Sequence, residues 1–534
     1  MKKQSFIKGT AILMAANAIS KILGAVFKIP LCYLLKEEGM AIYNSAFSVY
    51  VMLLSFTICG MPLAISKTVS EDFAKGHYGD VHKTVRISLL VLSALGLLGS
   101  VVLWFFADFF ALAMKEAKAV HCIRLIAPAV FFVAVGTVFK SYYQGKSNMT
   151  PTAISQVIEA AVKLFAGYGL ALYYARLSVE YTAAAAIFGV TIGEVIATLI
   201  LFLLYLPDRK ELAGQPANRT AGSILNIMIL IAVPVLTASG VAAAMNLADL
   251  AVIRTSLTAI RFTPETAQNF LLQYSSHSAL FDSLLSDLRL TDEAARWLYG
   301  SYSGYALTIF HLPIGMLGAL GVSILPVIAG ALAVKNRERA AYAIRSASKI
   351  TLILSLAAAV VIFFWSDTLL TILFHNTASS KMLRYLAPCL VFMAMSDLFF
   401  SVLNACGKVI SPFLYSFAGA AVKLLFSYFL IRLPQLNVLG IAVSADIAYL
   451  IVFLLSYRAV RKEFSVRLPI SLKPFLSAGV MAAVMLFVGQ PFWMLFPNEI
   501  LAFSAVLAAG GAAYVLSLTL CGYISPKEIH MFKK

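Results

Sequence analysis

Fourteen apolar runs, spread between about residue 9 and residue 523, limit what this chain can fold into. A run of roughly 20 apolar residues matches the hydrocarbon core of a bilayer, about 30 Å thick. Inside that core every backbone N–H and C=O must find its partner within the segment, so a helix is the solution available to a single run. Of the 534 residues, 61% are hydrophobic and 13% are charged, which lies far outside the soluble globular range. The expected fold is an all-α polytopic membrane protein with fourteen transmembrane helices.

The chain also repeats itself. Arg124-Leu-Ile-Ala-Pro128 returns as Arg384-Tyr-Leu-Ala-Pro388, and Ala160-Ala-Val-Lys163 returns as Ala420-Ala-Val-Lys423. Between them stand the dipeptides Gly145-Lys146 and Gly407-Lys408, followed by Pro151 and Pro412. The offset carries the fourth and fifth runs onto the tenth and eleventh, so each repeat holds six helices. An even number preserves orientation, which predicts two parallel six-helix repeats related by a pseudo-two-fold axis along the membrane normal, plus two C-terminal helices. The corresponding division is 1–206 for the first bundle, 207–223 for a cytoplasmic linker and 224–458 for the second bundle. Its outer loop spans 254–300, and 459–534 holds the two additional helices and the tail. Duplicated bundles supply an axis about which halves can rock, as alternating access requires.

Lys and Arg decide orientation. With the N-terminus inside, they outnumber those outside by about two to one, so both termini are expected in the cytoplasm. The net charge of +17 then reflects basic inner loops against anionic lipids rather than nucleic-acid binding. The opening Met1-Lys-Lys3 resembles a signal-peptide start, but the apolar run continues to Leu35 and reads as a retained first helix. The six cysteines show neither metal spacing nor a disulfide framework, and no metal site is expected. In the outer loop, Thr263-Pro-Glu265 and Thr291-Asp-Glu293 are helix-start signals, predicting two short amphipathic helices that act as a surface connector or as an outer gate.

Gly145-Lys-Ser147 lacks the preceding glycine of a phosphate-binding loop, and no hydrolase or metalloprotease motif occurs, so the chain reads as a non-enzyme that needs no cofactor. Charge at membrane depth costs at least about 2.5–3.5 kcal/mol unless it faces water or a partner, which makes such residues functional candidates. Lys21 and Lys28 lie two helical turns apart and share a face with Asn17 and Ser20. An ammonium ladder of this kind suits an anionic substrate, above all a diphosphate; the alternative is that Lys21 pairs with an acid and Lys28 snorkels outward. Lys163 and Lys423 occupy equivalent repeat positions and join the substrate-binding candidates, although Glu159 one turn before Lys163 offers it a structural partner. Asp249, with Asn246 beside it, Glu194, Asp397 and Asp446 are candidates for a coupling proton or sodium ion, or else the four acids balance the lysines.

Lys3-Gln-Ser-Phe-Ile-Lys-Gly-Thr10, Ser20-Lys-Ile-Leu-Gly24, Gly60-Met-Pro-Leu-Ala-Ile-Ser-Lys67 and Trp297-Leu-Tyr-Gly300 give the chain a resemblance to the stage V sporulation protein B group. That group lies in the polysaccharide-transporter branch of the multidrug/oligosaccharidyl-lipid/polysaccharide exporter superfamily and is similar to the lipid II flippases. The resemblance implies a flippase in the bacterial cytoplasmic membrane that moves a polyprenyl-diphosphate-linked saccharide, a peptidoglycan or spore-cortex precursor, from the inner to the outer leaflet. Its partners would be that lipid-linked oligosaccharide, membrane lipids and wall or cortex synthesis machinery, with no nucleic acid. Lys21 matches the first basic residue of the flippases' helix 1, whereas the second is displaced by one position to Lys28. Two rival readings are a cation-coupled multidrug exporter of the same superfamily and a non-transporting scaffold for wall or spore assembly.

Overall fold

The computed structural model describes residues 6–58, 60–212, 214–274, 280–281, 284–333, 335–408, 410–464, 471–496 and 498–523. Both chain ends, expected in the cytoplasm from the charge count, lie outside the described residues. No strand occurs among the described residues. Eleven helices among them are long and apolar enough to cross a membrane.

The first of these crossings runs for 61 residues, Ala15–Lys75. It takes in α1 (Phe6–Ile58) from Ala15 onward, with a break at Lys36 (φ 52°, ψ −162°), and α2 (Met61–Lys75). Gly60 (φ 82°) makes the joint between α1 and α2 in a left-handed conformation that disfavours a side chain, and Pro62 sits in the first turn that follows. Next come α3 (Tyr78–Phe105), the short α4 (Ala107–Ala113) and α5 (Val120–Gly145). α6 (Thr150–Val162) continues through a π-helical turn, Lys163–Gly167, into α7 (Tyr168–Tyr174), and α8 (Val179–Leu212) follows.

α9 (Ala221–Thr258) leads to the outer loop. There α10 (Pro264–Gln273), α11 (Leu284–Asp287) and α12 (Asp292–Gly300) form. The predicted caps are present: Thr263 and Thr266 cap reciprocally, and Thr291 Oγ1 accepts from the Ala294 amide at 3.1 Å. The connector does not simply lie on the surface. Phe262, Phe270, Tyr274, Phe281 and Trp297 pack into a small aromatic core, and Trp297 and Leu298 of α12 are buried.

A second π-helical turn, Ser301–Ala306, leads into α13 (Leu307–Ala333). The remaining helices are α14 (Arg337–Phe374), α15 (Ser380–Ala405), α16 (Ile410–Leu430), α17 (Leu439–Phe464), α18 (Leu472–Leu495) and α19 (Glu499–Leu520). Contacts group the chain into one unit of Met1–Gly304 with Ser427–Gln435 and another of Tyr305–Phe426 with Leu436–Lys534. α9 and α12, which the repeat assigns to the second bundle, thus pack within the first unit. α18 and α19 join the core of the second unit, where Trp365, at a break in α14, meets Trp493 and Phe503.

The duplication extends to side-chain pairs. Arg124 meets Asp108 at 2.7 Å in the first unit, and Arg384 meets Asp367 at 2.7 Å in the second. The Gly-Lys turns behave alike: Lys146 pairs with Asp208 and Lys408 with Glu463. The Glu463 carboxylate holds the exposed Lys408 ammonium above its ordinary range. Apolar cavities also recur. One of about 430 Å³ lies beside Pro388, with Leu356, Val360 and Phe363 in its wall; the other, about 260 Å³, lies beside Pro128, with Leu97, Val101 and Trp104 at the matching repeat positions.

Candidate functional site

One group of charged residues in the first unit is supplied by α1, α5, α6 and α8. α8 approaches α6 closely because its glycines allow it: a Cβ on Gly193 would stand 3.0 Å from the Glu159 carbonyl oxygen, and one on Gly189 would stand 2.2 Å from Gly167 Cα. The second contact falls where α6 widens into its π-helical turn, which begins at Lys163. Such turns insert a residue and re-aim side chains, often at functional sites.

Lys163 points back toward α1, with Nζ 5.6 Å from the Phe27 ring centroid and 5.2 Å from that of Phe47. Aromatic faces stabilise an ammonium without neutralising it. Lys28, half-buried one residue beyond Phe27, is close enough for the two ammonium groups to repel each other. Glu159 and the buried Glu194 attract Lys163, and Glu159 also pairs with Lys140 at 3.4 Å. The Glu159 and Glu194 carboxyl groups stand within hydrogen-bonding reach of each other. These five residues place three ammonium groups beside two carboxyl groups, a formal excess of one positive charge in apolar surroundings. Such a cluster can accept an anion.

The structure therefore brings together Lys28, Lys163 and Glu194 from the sequence-based candidates. Ser20 Oγ donates to the Gln156 carbonyl at 3.2 Å and so links α1 to α6. Lys21 is exposed and Asn17 half-buried on the same helix. Asp249 is buried in the first unit and accepts from Ser427 Oγ at 3.3 Å, while its companion Asn246 is exposed. Lys423 and Asp397 belong to the second unit. There Lys423 acts electrostatically on Cys389, as does Asp446, whose Oδ1 is buried without a hydrogen-bond partner among the described residues. Asp397 is half-buried, and its carbonyl accepts from Ser401 Oγ at 3.1 Å.

Sequence reasoning misses Lys140, because a count of charges between apolar runs assigns it to a cytoplasmic segment. It lies within α5, five residues before the helix ends, and the signal that would have found it is its place inside an apolar run. Among the described residues no group of three or more His, Cys, Asp or Glu is placed to hold a metal ion.

A family model described as "Polysaccharide biosynthesis protein" matches residues 6–330. The chain belongs to the polysaccharide biosynthesis protein family. A second model, "Lipid II flippase MurJ", matches residues 266–508 of this family member. Among curated proteins, stage V sporulation protein B of Bacillus subtilis (strain 168) is 25% identical over 483 residues, covering 89% of this chain and 86% of that protein. Lipid II flippase MurJ of the same organism is 22% identical over 502 residues, covering 90% of this chain and 87% of that one. A solved structure of lipid II flippase MurJ in an inward closed conformation superposes with a TM-score of 0.65 at 16% identity, covering 96% of this chain and 98% of that one. An inward-facing multidrug MATE family transporter of the MOP superfamily superposes with a TM-score of 0.64 at 14% identity, covering 86% and 100%. The chain thus has the all-helical fold of these two solved transporters, and the relatives named for an activity are a flippase and a transporter, in line with the sequence reading of a non-enzyme.

Proposed function

We propose that this protein is a flippase that carries a polyprenyl-diphosphate-linked saccharide, a peptidoglycan or spore-cortex precursor, from the inner to the outer leaflet of the bacterial cytoplasmic membrane. The observation that carries the reading is the pair of half-buried ammonium groups, Lys28 and Lys163, held among Phe27, Phe47 and the α6 π-helical turn. Two like charges kept close together in a membrane protein favour a polyanion, and a diphosphate offers several oxygens to both. Glu159 and Glu194 hold Lys163 in place when the site is empty and yield it to the phosphates when it is filled.

In this reading the repeats 1–206 and 224–458 alternate access, the sugars follow the diphosphate, and the polyprenyl chain stays in lipid beside the helices that line the apolar cavities. Fourteen crossings result when the break at Lys36 divides the first span and α9 and α13 are added. Both termini face the cytoplasm. A proton or sodium ion at Asp249, with Asn246, or at Glu194 or Asp397, couples the cycle, and the wall or cortex synthesis machinery receives the product.

The test is rescue of cells depleted of their lipid-linked precursor flippase, read as the amount of precursor accessible to an externally added probe. Restored accessibility supports the reading. Growth or drug efflux without restored accessibility contradicts it.

A further inference from the structure

At the end of the first unit that the charge distribution places outside, Glu116 is completely buried between α4 and α5. Two arginines reach it from far along the chain. Arg254 at the end of α9 donates through Nη1 to Oε2 at 2.7 Å, and Arg296 of α12 donates through Nε to Oε1 and Oε2 at 2.9 and 3.0 Å. Arg254 is 3% exposed and spends its other nitrogen on the Lys115 carbonyl at 2.9 Å. Around this centre Arg296 also faces Glu38 at 3.8 Å, and Lys118 bridges Glu38 at 2.6 Å and Glu180 at 3.9 Å.

The origin of these residues gives the cluster its meaning. Glu38, Glu116, Lys118 and Glu180 come from the first sequence repeat, whereas Arg254 and Arg296 come from the second. The pairs are therefore what fasten the leading helices of the second repeat onto the first. Directly below, the seam is tight: Gly300 is packed on the Glu37 backbone, and the buried Cys32 donates its thiol to the Gly304 carbonyl at 3.3 Å.

We infer that Glu116 is the centre of an ion-pair latch that holds α9 and α12 against the first repeat, and that opening this end of the protein requires Arg254 and Arg296 to leave it. The inference rests on the alternating-access part of the proposed function but not on the identity of the cargo. A buried carboxylate shared by two guanidinium groups exists in two arrangements, paired and dry or separated and hydrated. That is the kind of two-state element on which a conformational switch is built. Removing its charge leaves the buried Arg254 and the half-buried Arg296 facing each other and shifts the population toward the separated state.

The experiment uses the full-length protein in proteoliposomes, with only Cys32 and Cys389 retained as thiols and a membrane-impermeant maleimide added from outside. Cys32 reports the seam beneath the latch; Cys389, buried in the second unit, reports unfolding. Glu116→Gln is expected to raise the Cys32 labelling rate by about tenfold, equivalent to about 1.4 kcal/mol of shifted equilibrium, with Cys389 unchanged. An unchanged Cys32 rate overturns the latch. If both thiols react, the variant has unfolded and Arg296→Gln, at a less buried position, carries the test with the same expectation; an unchanged Cys32 rate in that variant overturns the latch equally. No cargo is needed for the readout, so failure here is distinct from failure of the flippase reading.

Discussion

Gly300 closes α12 where that helix meets the turn at Lys36, and its replacement by alanine isolates what this contact contributes. A Cβ at Gly300 would stand 1.8 Å from the Glu37 carbonyl oxygen and 2.5 Å from its carbon. Ordinary contact begins near 3.4 Å, so the two backbones must separate by roughly 1.6 Å. Overpacking typically costs about 1–3 kcal/mol, and the upper part of that range applies because backbone, not a flexible side-chain tip, stands in the way. Against this, glycine to alanine within a helix contributes about 0.5–1 kcal/mol of stability. The net expectation for Gly300→Ala is a loss of about 2 kcal/mol. Gly24→Ala is the matched control, since nothing lies within 4 Å of a Cβ there, and it should gain about 0.5–1 kcal/mol. Reversible unfolding in a denaturing detergent, followed by tryptophan fluorescence, should separate the two variants by about 2.5–3 kcal/mol. Equal stabilities would refute the argument that the Trp297-Leu-Tyr-Gly300 segment ends in glycine because backbone approaches backbone.

The duplicated lysine pairs should differ in strength. Asp208 is 18% exposed and also accepts from Tyr142 Oη at 2.9 Å, so Asp208→Asn should destabilise by about 2 kcal/mol in the same assay. Glu463→Gln, which leaves the exposed Lys408, should change almost nothing; equal losses would contradict the reasoning from burial. Thr291→Ala removes the cap from the Ala294 amide and should cost about 1 kcal/mol. The accompanying readout is faster proteolysis within the outer loop, and unaltered proteolysis would show that the cap does not hold α12 in place.

Much of this architecture was legible in the sequence because each signal was local. Apolar runs long enough to span a bilayer became helices, Thr263 and Thr291 capped the helices they precede, and the Arg124/Arg384 and Lys146/Lys408 correspondences became paired interactions. The site was only partly legible, since Lys28 and Lys163 are 135 positions apart and periodicity within one helix cannot say which helix faces another. Lys21 and Lys28 share a helical face in sequence terms, yet the structure exposes the first and packs the second beside Phe27. Ser20 shows the same limit from the other side: nothing within its own helix announces that its hydroxyl donates to the Gln156 carbonyl of α6. Lys140 was marked only by its place inside an apolar run, and nothing in the sequence ranked Glu116, because its partners lie 138 and 180 residues away.

The most direct test of the account is the affinity of the purified protein in nanodiscs for a short-chain prenyl diphosphate, compared with that of the Lys28→Gln/Lys163→Gln double variant. Hydrogen bonds to charged groups contribute about 1.5–3 kcal/mol each, so losing two should weaken binding by about a hundredfold or more. A double variant that binds as tightly as the natural sequence would contradict the claim that these two ammonium groups receive the diphosphate.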